Sequence, residues 1–236
     1  MGRSNDDMYT DDFYDLLMSR PDADRIVEQA SADLREEARD RAAFRRWLTP
    51  SVKAEFINGQ IIMHSPARRG HLTASVSLLN ILQNYVILHE LGAVYVEKAL
   101  VEVGRNDFEP DLAFWRTEQV DQWDEDINVF PPPTLVVEIL SKSTKQRDRG
   151  IKYQAYLAHR VEEYWIVDPD KQVIEQYTLP RDIRTEAYDL AGKHTGDQLL
   201  NCKAIPELSF PARVAFNQAM ASAWVRKLTV PQPPQQ

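Results

Sequence analysis

Between Pro133 and Ser141 the chain reads Pro-Thr-Leu-Val-Val-Glu-Ile-Leu-Ser, an apolar run with one carboxylate, Glu138, at its centre. A short β-branched run bounded in this way is a strand inside a core. Side chains alternate across a strand, so Glu138 shares a face with Val136 and Leu140. A buried and unpaired carboxylate is costly and tends to neutralise. A second acid, Asp111, opens another apolar run in Glu109-Pro-Asp-Leu-Ala-Phe-Trp115. Two such acids on neighbouring strands make sense when a cation sits between them, and a divalent metal suits them best.

With 236 residues and 43% hydrophobic content, the chain can bury one sizeable core. No apolar stretch approaches the roughly 18–20 residues of a membrane span. The start, Met1-Gly-Arg-Ser-Asn-Asp-Asp, is not a secretory signal, and Cys202 is the single cysteine. A cytoplasmic protein without a membrane partner is expected. The net charge of −8 opposes phosphate binding, but it is unevenly spread. Residues 1–40 hold 12 acids and 5 bases, leaving 24 acids and 23 bases for the remainder. The body is therefore almost neutral. Directly after Glu138 come Lys142, Lys145, Arg147, Arg149 and Lys152 against Asp148 alone. That run reads either as a solvated loop and helix start or as a basic surface for a polyanion.

Periodicity predicts a mixed α/β order. Residues 1–50 form an acidic helical extension with Phe13, Leu16, Leu17, Ile26, Phe44 and Trp47 as its apolar positions. A hairpin turns at Asn58-Gly59. A helix over 71–90 carries Leu72, Val76, Leu79, Leu82 and Val86 on one face and stops at Gly92. A strand over 94–103 precedes a loop with Asn106 and Asp107, then the Asp111 strand. Residues 116–130 read as an exposed crossing loop, and Pro131-Pro-Pro133 stiffens the approach to the Glu138 strand. A helix over 148–159, a hairpin of 164–167 with 173–177, and strands near 185–190 and 198–200 follow. A helix over 216–227 and a tail at 231–236 too polar to fold complete the chain. The expected divisions are 1–50, 51–215 and 216–236.

If their strands are adjacent, Asp111 and Glu138 converge on one hard cation, Mg²⁺ or Mn²⁺, which could activate water against a phosphodiester. Lys152 is either a fixed cation for that reaction or an i,i+4 partner of Asp148. Trp115, Trp165 and Tyr164 read as core residues.

Three pieces occur in order: Glu55-Phe-Ile-Asn-Gly-Gln-Ile-Ile-Met63 with His71, then Pro110-Asp111, then Pro133–Thr144 with Asp148, Lys152, Tyr156 and Glu163-Tyr-Trp-Ile-Val-Asp-Pro169. Over roughly residues 50–215 this resembles the Uma2 (DUF820) family of restriction endonucleases, within the PD-(D/E)XK nuclease superfamily. The resemblance implies a restriction-endonuclease-like mixed β-sheet core flanked by helices and a metal-dependent phosphodiesterase site; an endonuclease is expected, with DNA favoured over RNA as its substrate. It implies Asp111 and Glu138 as metal ligands, with the carbonyl of Ile139, and Lys152 as the catalytic lysine. The superfamily usually places that lysine two residues after the second acid, where this chain has Leu140. Lys142 is a rival, because an extended strand would put it on the Glu138 face. Glu55 either joins the metal site, holds Lys152, or faces solvent. His71 contacts phosphate, moves a proton or is structural. Arg68 and Arg69, with Lys142, Lys145 and Arg147, would grip backbone phosphates. A homodimer is expected from the apolar hairpins and the extension, and residues 1–40 could cover the site as a mimic of nucleic acid. The competing reading is a catalytically weak or inactive nucleic-acid-binding or regulatory protein that keeps the nuclease fold.

Overall fold

The computed structural model describes residues 8–49, 51–182, 185 and 187–229. The expected tail at 231–236, and part of the strand expected near 185–190, lie outside them. Helices α1 (Met8–Met18) and α2 (Ala23–Trp47) lead to a hairpin of β1 (Ala54–Ile57) and β2 (Gln60–Met63), then helix α3 (Arg69–Leu88). Strands β3 (Gly92–Val96), β4 (Leu100–Val103), β5 (Asn106–Phe108) and β6 (Leu112–Arg116) follow, then α4 (Thr117–Val120), β7 (Val129–Phe130) and β8 (Leu135–Ile139). Helices α5 (Lys145–Asp148) and α6 (Ile151–Ala158) cross over to β9 (Glu163–Asp168), which turns into β10 (Val173–Thr178). Strands β11 (Asp189–Thr195), β12 (Leu199–Asn201) and β13 (Ser209–Pro211), a 3-10 turn (Ala212–Phe216) and α7 (Gln218–Thr229) close the described chain.

The main sheet runs β11-β10-β9-β8-β6-β3, and a second runs β2-β1-β5-β4-β7. Strands β8 and β9 are parallel, which is why α5 and α6 must intervene between them. The flanking pairs β6/β8 and β9/β10 are antiparallel. Alternation along the central strands separates two cores. Leu112, Phe114, Leu135, Val137, Ile139 and Trp165 face α3 and the C-terminal elements. Ala113, Trp115, Val136, Leu140, Tyr164 and Ile166 face α6 and the second sheet. Glu138 therefore points into the second core, as expected of its place between Val136 and Leu140.

The hairpin forms with Glu55 opposite Ile62, and Asn58 and Gly59 both take positive φ (47° and 78°), as a tight two-residue turn requires. Other expectations give way to tertiary structure. The single strand expected over 94–103 is β3 and β4 in different sheets, broken at Lys98, whose φ is 74°. The expected loop at Asn106 and Asp107 is strand β5, because Asp107 is buried and receives a two-pronged bond from Arg45 at 2.7 and 2.5 Å. The crossing segment 116–130 is not wholly exposed: Trp123 and Phe130 pack on Trp115. The helix expected over 148–159 breaks at Arg149 and Gly150 into α5 and α6. Of the apolar positions in the extension only Phe44 is buried, and Phe13 and Leu16 stay more than half exposed.

Candidate active site

The antiparallel register Leu112↔Val137 continues to place Asp111 beside Glu138. The backbone amide of Ile139 donates to Oδ2 of Asp111 at 2.7 Å, which locks the two strand ends together. The other oxygen, Oδ1, lies 3.2 Å from Nε2 of His71 and 3.9 Å from Nζ of Lys53. Burial pushes the Asp111 carboxyl up, but His71, Lys53 and the Ile139 amide outweigh it and hold it below its ordinary value. The same pairing raises the His71 imidazole against the opposing effect of burial. His71 is thus tied to one of the two acids from the first turn of α3.

Lys152 is 1% exposed and lies behind Glu138. Its ammonium reaches Oε1 of Glu55 at 2.7 Å and Oε1 of Glu138 at 2.9 Å, with Asp148 at 3.7 Å. It also sits 5.6 Å from the centre of the Phe108 ring. The i,i+4 pair with Asp148 exists, and it is part of a larger buried cluster that joins Lys152 to Glu55 and Glu138. Burial lowers the pKa of the ammonium, and the three carboxylates raise it well above the ordinary range. The hydroxyl of Tyr156 donates to the same Oε1 of Glu138 at 2.9 Å. No donor reaches Oε2 of Glu138 among the described residues. Burial, reinforced by Asp148, Asp111 and Glu55 and opposed by Lys152, drives the Glu138 carboxyl well upward.

Glu55 is fully buried, so the solvent-facing reading of that strand position is corrected. Its Oε1 accepts the Glu109 amide at 3.0 Å as well as Lys152, and its Oε2 lies 3.2 Å from Nε2 of His64. The rival placement of Lys142 is also corrected. The chain leaves the strand after Ile139 and turns, with the Ser141 amide donating to Oγ1 of Thr144 at 3.1 Å. Lys142 is exposed at the rim instead of sharing the Glu138 face.

These groups open onto a cleft of about 370 Å³. Asp111 and Glu138 form part of its floor, and Lys53, Arg68, Lys142 and Arg147 line it. Arg69 and Lys145 are exposed but stand outside that lining. No residue of the described part of the extension lines the cleft either, so the expected acidic cover is not seen there. Among the described residues no three His, Cys, Asp or Glu side chains converge as a ready-made metal cage.

Sequence reasoning did not single out His64, Lys53, Glu109 or Asp148 as site groups. The spacing of 148, 152 and 156 is a helix-face signal that α5 and α6 preserve despite their break. His64 follows from the hairpin register, because it lies one alternation beyond Ile62 on the Glu55 side. Lys53 and Glu109 carried no comparable signal.

The fold has a solved counterpart. A crystal structure described as "a putative nuclease belonging to DUF820", from Anabaena variabilis, superposes with a TM-score of 0.63 at 18% identity, covering 75% of this chain and 96% of that one. No curated protein matches the chain. Residues 41–214 match the Uma2 family, described as "Putative restriction endonuclease". The match spans both sheets and every residue of the buried cluster, and the chain belongs to the Uma2 family.

Proposed function

We propose that the protein is an endonuclease that hydrolyses phosphodiester bonds in DNA with Mg²⁺ or Mn²⁺ held by Asp111 and Glu138. The observation that carries this reading is the pairing of those acids across β6 and β8 in a cleft lined by Lys53, Arg68, Lys142 and Arg147. The donor chemistry fits a hard divalent cation. The hydrogen bonds from Lys152 and Tyr156 to Glu138 both end on Oε1, and the buried Oε2 of Glu109 in the same cleft has no donor. Two carboxylates, the Ile139 carbonyl and retained waters are a set that Mg²⁺ accepts, since it seldom needs an all-protein cage.

When bound, the ion supplies an activated water and stabilises charge on the transferring phosphoryl group. The side chains of the protein do the rest. Arg68, Lys142 and Arg147 hold backbone phosphates without reading bases. In the metal-free protein Lys152 and Tyr156 hold Oε1 of Glu138, which leaves its other oxygen toward the cleft. His71, whose imidazole is raised by the Asp111 beside it, is placed to hold or pass a proton at Nε2. Glu55 positions Lys152 from behind.

Incubating pure protein with plasmid and Mg²⁺ or Mn²⁺ tests this reading, with Asp111→Ala and Glu138→Ala expected to lose cleavage by at least about 100-fold. Cleavage surviving in both variants would sink the assignment. The second reading, a non-catalytic binding or regulatory protein, draws on buried Leu140 standing where the superfamily usually has its lysine. Calorimetry separates the two, because a wild-type protein without metal affinity favours the second.

A further inference from the structure

One buried group is left unexplained by the site as described. Asp148 is 1% exposed, and the Thr144 hydroxyl is a side-chain donor beside it, yet neither carboxylate oxygen accepts a hydrogen bond of good geometry. A buried carboxylate so weakly served by donors keeps much of its desolvation cost, so it persists only where something compensates. Its nearest cation is Lys152, one helical turn away, at 3.7 Å: within ion-pair range but beyond hydrogen-bond contact. The Lys152 ammonium instead spends its close contacts on Glu55 and Glu138. The cluster thus holds three carboxylates around one ammonium, the third in ion-pair range but without a hydrogen bond from it.

This arrangement becomes intelligible if Lys152 has two positions. On the reading that Glu138 takes a divalent cation, the ammonium now on Oε1 would stand close to that cation and be repelled by it. Asp148, one helical turn before Lys152, already lies 3.7 Å from the same ammonium, so the shift required is short. We infer that Asp148 is a positioning residue: it is the seat to which the Lys152 ammonium moves when Glu138 is given to a divalent metal. Lys152 then serves as a resident placeholder that keeps Glu138 compensated in the metal-free protein. The backbone of Asp148 is held independently, its carbonyl accepting the Tyr164 hydroxyl at 2.9 Å, so the seat is rigid before it is filled.

The test compares Mn²⁺ affinity and metal-free thermal unfolding in wild type, Asp148→Asn and Tyr164→Phe. Asp148→Asn should weaken Mn²⁺ binding about 10-fold, in the range typical of groups that support metal ligands. Its metal-free unfolding midpoint should hold or rise, because a buried carboxylate without a well-formed hydrogen bond has been removed. Tyr164→Phe damages the same spot while keeping the carboxylate; it should lower the midpoint and leave Mn²⁺ affinity intact. Equal loss of affinity in both variants, or none in Asp148→Asn, would overturn the inference in favour of a structural role. A second measurement needs no variant: in wild type with ¹⁵N-labelled lysines, the Nζ signal of Lys152 should move on titration with Mg²⁺. Metal binding with that signal fixed overturns this inference alone. Absence of any metal binding by wild type overturns the nuclease reading and this one with it.

Discussion

Lys152 has no water to sit in, and its charge is met entirely by side chains. Removing it leaves Glu55, Glu138 and Asp148 in one buried space. Lys152→Met is therefore expected to destabilise the fold by about 3 kcal/mol, as breaking a buried ion pair does. Urea unfolding checks this, with a lowered midpoint at unchanged slope. The loss should shrink as pH falls, since the Glu138 and Asp148 carboxyls, raised chiefly by burial, neutralise readily. At this scale much of the site was legible. Glu138 is visible as a charge in an apolar run, and Asp148, Lys152 and Tyr156 share a helical period. Lys53 and Glu109 were not legible, because their places depend on how the second sheet folds against the first. His71 was legible as a histidine near a helix start, but its partner Asp111 is set by the meeting of α3 with β6.

Helix α2 shows how elements are tied on. Its C-terminal half is anchored through buried Phe44 and through Arg41 and Arg45, which reach Glu102, Asp107 and the Gly104 carbonyl. Asp107 has no exposure, and Arg45 is its closest cation. Arg45→Ala should cost roughly 3 kcal/mol by leaving that carboxylate short of its partner. Hydrogen exchange should show the loss in α2, β4 and β5, and unchanged protection in those three elements would contradict the proposed anchoring. The elements that sequence placed well, such as the β1/β2 and β9/β10 hairpins, are fixed by local turn chemistry. The ones it misplaced were settled at long range. β5 exists because an arginine from 62 residues upstream satisfies its acid, and β3 parts from β4 because they join different sheets.

Across the whole molecule, a small set of charges ties helix to sheet. Glu175 on β10 accepts Arg149 at 2.7 Å and Tyr177 at 2.8 Å, with Lys193 of β11 nearby. Burial raises the Glu175 carboxyl, but Arg149, Tyr177 and Lys193 outweigh it and hold it at about 2, below its ordinary 4.5. A depressed carboxylate stabilises the fold fully above its unfolded value and loses that contribution as pH falls through the folded one. Acid unfolding of Glu175→Gln should therefore be shallower than wild type between pH 4.5 and about 2. The difference at neutral pH should be on the order of 1 kcal/mol, since Arg149 is part-exposed. An identical acid profile would remove the assignment.

The cluster around Lys152 also limits how this sequence can drift. Its members are the same atoms that fill the second core, so a substitution there damages folding before it alters chemistry. The rim is different: Lys142 and Arg68 are exposed and free to change. A descendant that abandoned cleavage would therefore shed its rim cations first and keep a silent, fully charged interior. The buried acids and lysine record ancestry more faithfully than they report present activity.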